Sequence, residues 1–256
     1  MPGLKPDTAE LWPGGPRVSL RGDGGGAFAD SVLLADFAAA RAGRARRCAD
    51  LGSGCGTLAL ALAALLPEAA VSGLELRGPA VDAARDLARE SGLESRVAFY
   101  AGDLRERHPA FPPEGFDLVG MNPPYFAPGR GAVSPDPERT AVRQALSGEA
   151  RQWIAAGSRI LRPGGRLFLV HRAERLPELL RAMEDAGVAP KWLRCVHHAP
   201  GYPARLILAG GQKQAGPGLA VEAPLYLKTP DGVDSAEVRR IYRGPAPDGA
   251  RNGEKA

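Results

Sequence analysis

The chain has few cysteines, no cysteine pair of metal-binding or redox spacing, and no long apolar run. Only Cys48, Cys55 and Cys195 occur in 256 residues, with no Cys-x-x-Cys among them. That excludes a disulfide scaffold, offers no zinc-ligand spacing and leads to the expectation of no metal. A reducing, cytoplasmic setting is the simplest account of such cysteine usage. Cys48 falls in an apolar stretch and reads as a buried thiol, and Cys55 lies between two glycines where only a small side chain fits. No apolar run approaches the roughly 18 residues of a membrane helix, so no membrane partner is expected. The segment Leu58 to Leu66 is far too short. Met1 to Arg17 holds Pro and Gly but no apolar core, which argues against a secretory signal. No internal repeat is evident.

What is present describes an ordinary globular domain. Hydrophobic residues make up 44% and charged residues 24%, and a chain of this length suits one sizeable α/β domain with short trimmings. The net charge of +4 leans basic, which suits a polyanionic partner, although a solvated surface accounts for it equally well. Residues 1–16 read as a flexible N-terminus, 17–243 as a single domain and 244–256 as a disordered tail rich in Pro, Gly and charge.

The middle of the chain alternates strand and helix. Strands are expected at Arg46 to Leu51, Ala70 to Leu76, Arg96 to Gly102, Phe116 to Met121 and Arg166 to His171, with a last pair at Lys191 to His198 and Arg205 to Ala209. Helices are expected after the glycines up to Leu66, at Pro79 to Glu90, at Glu138 to Leu161 before Pro163-Gly164-Gly165, and at Glu174 to Ala186. Before this core, Val18 to Gly26 reads as a possible hairpin with a helix starting near Asp30, and Leu219 to Lys228 as a late strand or hairpin. Such alternation implies a Rossmann-like α/β fold, a mostly parallel twisted sheet of seven strands with helices on both faces.

The turn Asp50-Leu51-Gly52-Ser53-Gly54-Cys55-Gly56 spaces its glycines as GxGxG. A dinucleotide fingerprint is GxGxxG, and here the third glycine comes one residue early. The acid ahead of the turn is the sharper signal. A carboxylate at Asp50 repels a pyrophosphate and attracts the ammonium of an aminoacyl group, which S-adenosyl-L-methionine carries without any phosphate. Glu75 ends the next strand, 23 residues after Gly52, where an acid grips ribose hydroxyls. Asp103 closes the third strand, where it is placed to take an adenine amino group. Gly52, Ser53, Gly54, Leu76, Leu104 and Asn122 complete the expected cofactor set. The plainer alternatives are a tight packing turn at the glycines, a solvated charge at Glu75 and a helix N-cap at Asp103.

Beyond the fourth strand stands Asn122-Pro123-Pro124-Tyr125. An exocyclic amine is a poor nucleophile because its lone pair is delocalised. Two acceptors, the Asn122 Oδ1 and the Pro123 carbonyl, would hold both N–H bonds and favour pyramidalisation. The prolines fix φ and lack N–H donors, so the turn stays rigid. Tyr125, followed by Phe126, offers stacking surface to a base taken out of its helix or loop. The chemistry needs positioning more than a strong base. His197-His198 accordingly reads as a surface or structural pair.

With these features together, the chain resembles the class I S-adenosylmethionine-dependent methyltransferases of the N6-adenine and N5-glutamine group, over about Ala27 to Gln212. More narrowly it is similar to the bacterial transfer-RNA adenine-N6 methyltransferases that modify the adenine 3′ to the anticodon of a valine tRNA. Asp30 to Phe37, Asn122 to Phe126 with the Arg139 and Arg143 pair, and Leu161 to Leu179 with its His171-Arg172-Ala173-Glu174-Arg175-Leu176 run carry that match. The resemblance implies an S-adenosyl-L-methionine cofactor and a tRNA substrate, with Phe126, Arg139 and Arg143 toward the RNA. Arg172, Arg175 and the Lys191 to Arg194 stretch are further candidates for phosphate contacts. A ribosomal-RNA base or a protein glutamine amide is the alternative acceptor. Against the glutamine enzymes, only 49 residues precede Asp50, too few for the helical substrate domain the resemblance implies for them. A nicotinamide dehydrogenase is disfavoured by the glycine spacing and Asp50, and an inactive RNA-binding module by the intact set Asp50, Glu75, Asp103 and Asn122.

Overall fold

The computed structural model describes residues 8–19, 27–124 and 150–245. In order these form β1 (Thr8–Glu10), β2 (Arg17–Ser19), α1 (Ala27–Ala39), β3 (Arg47–Leu51), α2 (Thr57–Leu65), β4 (Ala70–Glu75), α3 (Gly78–Glu90), β5 (Val97–Ala101) and β6 (Phe116–Met121). There follow α4 (Ala150–Ile160), β7 (Leu161–Arg172), a 3-10 turn, α5 (Leu176–Asp185), β8 (Val188–His197), β9 (Ala204–Lys213), β10 (Ala220–Val221), β11 (Leu225–Tyr226) and α6 (Ala236–Ile241).

Seven strands make the body of the main sheet, in the order β5-β4-β3-β6-β7-β9-β8. All run parallel except β9, which is antiparallel to β7 and β8. The two-residue strands β10 and β11 both lie parallel along the outer edge of β8, bringing the sheet to nine. The pleat sends successive residues to opposite faces. Cys48, Leu118 and Phe168 join one apolar layer, under α1, α2 and α3. Ala49, Val119 and Leu167 join the other, under α4 and α5.

Helix periodicity follows burial. α2 is apolar all round and buries Leu58 to Ala63, as a helix enclosed on both sides must. α3 opens on Pro79 and buries one stripe, Ala80, Val81, Ala84, Leu87 and Ala88. Trp153, Ile154 and Ile160 face the sheet from α4.

Several sequence expectations are corrected by long-range packing. Thr8 to Glu10, placed in a flexible terminus, pairs with β2, and Leu11 and Trp12 are buried. The partner of β2 is therefore an upstream strand rather than the far arm of a Val18 to Gly26 hairpin; residues 20–26 lie outside the described ones. Gly244, taken as the start of the tail, lies so close to the Trp12 indole that a Cβ would stand 2.4 Å from it. Pro163-Gly164-Gly165 does not precede the fifth strand but sits inside it: β7 starts at Leu161 and absorbs the run as a register shift opposite β6. β8 and β9 are longer than expected because each finds the other along its whole length. Leu219 to Lys228 yields two short edge strands instead of a hairpin, interrupted at Pro224. α6 is not among the helices expected from the sequence; its signal is Ser235, whose Oγ accepts the Val238 N–H at 3.1 Å.

Candidate functional site

Parallel pairing puts the singled-out residues side by side. Leu51 is in register with Leu74 on one side and Met121 on the other. Gly52, Glu75 and Asn122 follow directly at three adjacent strand ends, about 4.8 Å apart from strand to strand. This is the carboxyl edge of the sheet, where open α/β folds take ligands.

The turn folds on its own backbone: Gly52 and Ser53 donate to the Leu74 carbonyl at 2.8 and 3.0 Å, and Gly56 to the Ser53 carbonyl at 2.8 Å. Its glycines have different tasks. At Gly52 (φ +72°) a Cβ would stand 2.3 Å from the Trp153 ring, so this glycine makes room for α4. At Gly54 (φ +53°), among the described residues nothing lies within 4 Å of that position. The open space above Gly54 admits a ligand close to the backbone.

Asp50 is 1% exposed, and its Oδ2 accepts the Ala59 N–H at 3.1 Å. It therefore caps α2, whose own N-cap position is Gly56 with no side chain to do so. Burial pushes the Asp50 carboxyl up to about 8; the Ala59 bond opposes this and the nearby Glu75 charge adds to it. Glu75 is also buried. Its Oε2 accepts the Gly54 N–H at 2.9 Å, and its Oε1 accepts the Arg77 N–H and Nε at 3.1 and 3.0 Å. Glu75 thus ties the strand end to the glycine turn.

Among the described residues Ser53 Oγ is buried without a hydrogen-bond partner, a state that is costly unless a ligand completes it. The Glu75 carboxylate, the Asp50 carboxyl, this hydroxyl and the open Gly54 backbone suit a ligand bearing an ammonium and hydroxyl groups, and the Glu75 charge opposes a pyrophosphate. The residues fit an aminoacyl nucleoside such as S-adenosyl-L-methionine.

Asp103 stands two residues beyond β5, not at its end. Its carboxylate accepts the Arg105 N–H at 2.8 Å and is gripped by the Arg105 guanidinium, which holds it below the usual carboxylate range. Leu76 is half-buried beside Glu75. Leu104 is buried in the layer with Phe111 and Leu74, and its carbonyl accepts from Arg159 at 2.9 Å.

At the end of β6, Pro123 is buried, and Asn122 and Pro124 are half-buried. The Asn122 Nδ2 donates to Ser31 Oγ of α1 at 3.0 Å, across 91 residues of chain. Ser31 is itself buried. The bond commits one end of the amide and fixes its plane, so Oδ1 is the end turned the other way. Sequence reasoning noted Ser31 only within a family-like segment and gave it no role; Arg77 it did not name. Tyr125, Phe126, Arg139 and Arg143 lie outside the described residues.

His171, near the end of β7, is buried and pushed down to about 4, by burial first and then by Arg175 and Arg172. Its Nδ1 accepts the Arg172 N–H at 2.9 Å. The Lys191 to Arg194 stretch, expected to reach phosphates, is occupied internally. Lys191 Nζ donates to the Gly216 carbonyl at 2.6 Å, and Arg194 forms a two-pronged pair with Glu237 at 2.7 Å each. Among the described residues no group of three or more His, Cys, Asp or Glu is disposed to hold a metal, and no helix is long and apolar enough to cross a membrane.

The profile of the methyltransferase small domain family matches residues 27–186. The chain is 34% identical over 154 residues to the tRNA1(Val) (adenine(37)-N6)-methyltransferase of Porphyromonas gingivalis, covering 59% of this chain and 60% of that one. To the enzyme of the same name from Aeromonas hydrophila it is 32% identical, covering 71% and 70%. It is 34% identical to a release factor glutamine methyltransferase of Xylella fastidiosa, covering 56% and 53%. The chain thus spans less than two thirds of the length of the first and last of these relatives. Among solved structures, a predicted O-methyltransferase of Agrobacterium tumefaciens superposes with a TM-score of 0.68 at 26% identity, over 85% of this chain and 98% of that one. The carboxyl-edge site, the sheet order and these matches agree: the chain belongs to the methyltransferase small domain family.

Proposed function

We propose that the chain is an N-methyltransferase acting on the exocyclic N6 of an adenine in tRNA, the adenine 3′ to the anticodon of a valine tRNA, and that it works in the cytoplasm where tRNA is found. One observation carries this reading: an Asn122 amide fixed by Ser31 one strand away from the Gly52–Gly54 turn. When bound, S-adenosyl-L-methionine supplies an electrophilic methyl group on a sulfonium. Glu75, Ser53 and the Gly54 backbone would hold its polar groups, with Asp50 beneath the turn, protonated in the ligand-free chain, giving up its proton as the ammonium arrives; Leu76 and Asp103 would meet the adenosine. The chain's own task is to aim the nitrogen. Asn122 Oδ1 and the Pro123 carbonyl accept its two N–H bonds and free the lone pair from the ring, while Pro123 and Pro124 keep the turn stiff. Tyr125 would stack on the base. Rate enhancement from such fixed acceptors is preorganisation, and no strong base is required.

A glutamine side-chain amide presents the same planar NH2, and the similarity to a release factor glutamine methyltransferase favours it as a second reading. The test offers the purified chain methyl-labelled cofactor with unmodified tRNA, ribosomal RNA or release factor. Label recovered as N6-methyladenosine from valine tRNA is the expected result. Label on ribosomal RNA or glutamine, with tRNA unmodified, overturns it. Asn122→Ala should lower kcat by about two to three decades with S-adenosylhomocysteine affinity retained in calorimetry; turnover left intact would remove Asn122 from the mechanism.

A further inference from the structure

The turn joining β8 and β9 stands on the same rim of the sheet as Asn122. β6, β7, β9 and β8 are successive neighbours, so the rim from Asn122 to this turn is about 15 Å wide, three strand spacings. Arg172 ends β7 and pairs with Leu206 of β9, next to Arg205, and His197 of β8 pairs with Ala204.

The turn displays Tyr202, 58% exposed. Its ring is nevertheless braced. It meets the His198 ring edge-on at 5.4 Å, its carbonyl lies 2.7 Å from His197 Nδ1, and its N–H donates to the Ala199 carbonyl at 3.1 Å. His197 in turn leans on Tyr226, ring to ring at 5.5 Å. Arg205 is exposed, and among the described residues no carboxylate pairs with it. Arg172 is also exposed, and among the described residues its guanidinium has only a 3.8 Å contact, to Glu174. Lys228, bonded to Asp234 at 2.8 Å, is already neutralised. A held aromatic face interleaved with exposed, weakly paired guanidinium groups is the chemistry that grips single-stranded nucleic acid, by stacking and by phosphate charge.

We propose that this rim is a track for the RNA strand flanking the target base, with Tyr202 stacking on a neighbouring base and Arg172 and Arg205 meeting phosphates. The inference rests on the tRNA reading above and names where that substrate lies. It is tested with Tyr202→Ala, Tyr202→Phe and Arg205→Ala, comparing KM and kcat on unmodified tRNA, and tRNA binding across a range of salt. S-adenosylhomocysteine affinity serves as the control for an intact cofactor side. Tyr202→Ala should raise KM about ten-fold at unchanged kcat, the loss of one base stack, while Tyr202→Phe stays near the unaltered chain. Arg205→Ala should flatten the slope of log affinity against log salt by about one contact. If all three match the unaltered chain while it still methylates tRNA, the track is wrong and the tRNA function stands. If the unaltered chain modifies glutamine and binds no RNA, both fall.

Discussion

At the scale of single residues, two side chains have consequences that their own type does not announce. Ser31 holds the Asn122 amide at 3.0 Å from a buried position. Without that bond the amide can present its NH2 end to a donor, which repels. Ser31→Ala should cost about ten-fold in kcat, roughly one hydrogen bond to a polar group, at unchanged cofactor affinity. Ser31→Thr, which keeps the hydroxyl, should recover most of the loss; equal deficits in both variants would mean a packing role instead. Asp50 is the second. Raised to about 8 from 3.8, it holds a proton in the folded chain that the unfolded chain has released over most of that window. Its contribution to stability is full below about pH 3.8 and is lost as pH rises through 8. His171, lowered from 6.5 to about 4, acts oppositely, adding stability as pH rises from 4 to 6.5. Among the shifts of the described residues, only the Asp50 one acts between pH 6.5 and 8. The melting temperature of the ligand-free chain should fall across that interval, and Asp50→Asn should abolish the fall. A slope that survives the substitution would assign the proton elsewhere.

At the scale of elements, the strand–turn–helix around Gly52 to Gly56 separates packing from binding within five residues. Gly52→Ala adds a Cβ 2.3 Å from Trp153 at φ +72°, so β3 and α4 must part or the turn must deform. A loss of several kcal/mol is expected from left-handed strain and overpacking together, read in urea unfolding. Gly54→Ala meets only the strain of φ +53°, about 1–2 kcal/mol, yet it fills the space a ligand needs. It should melt nearly as the parent does but bind S-adenosylhomocysteine markedly more weakly. The reverse ranking of the two variants would exchange their roles. The GxGxG spacing was legible in the sequence, and so were the strand before it and the helix after it. Which glycine faces α4 and which faces the ligand was not, because Trp153 arrives from about 100 residues downstream.

At the scale of the molecule, α6 closes the structure across its termini. Glu237 takes the guanidinium of Arg194 from β8 in a two-pronged pair, and Arg240 does the same to Asp36 of α1, at 2.8 Å each. Arg194 holds the Glu237 carboxyl below its usual range, so this contribution is present at neutral pH and fades as acid protonates it. Glu237→Gln should lower stability by about 1 kcal/mol at low salt, with cofactor binding untouched and the difference shrinking at high salt. An identical urea midpoint would show the pair to be idle. The same pairing explains why a basic stretch in the sequence is no guide to a phosphate surface here. Lys191 and Arg194 are spent on carbonyls and Glu237, whereas Arg205, unremarkable in the sequence, stands open. The sequence by itself determined the alternation of strands and helices, the glycine turn with its two acids, and the Asn-Pro-Pro end of β6, because hydrophobic period and turn chemistry are local. Only the tertiary structure decided that Ser31 orients Asn122, that Asp50 caps α2 from below the turn, and which arginines are left open to solvent. Those outcomes depend on which groups meet across distant segments, and a side chain's partner is chosen by packing of the whole chain rather than by its neighbours in sequence.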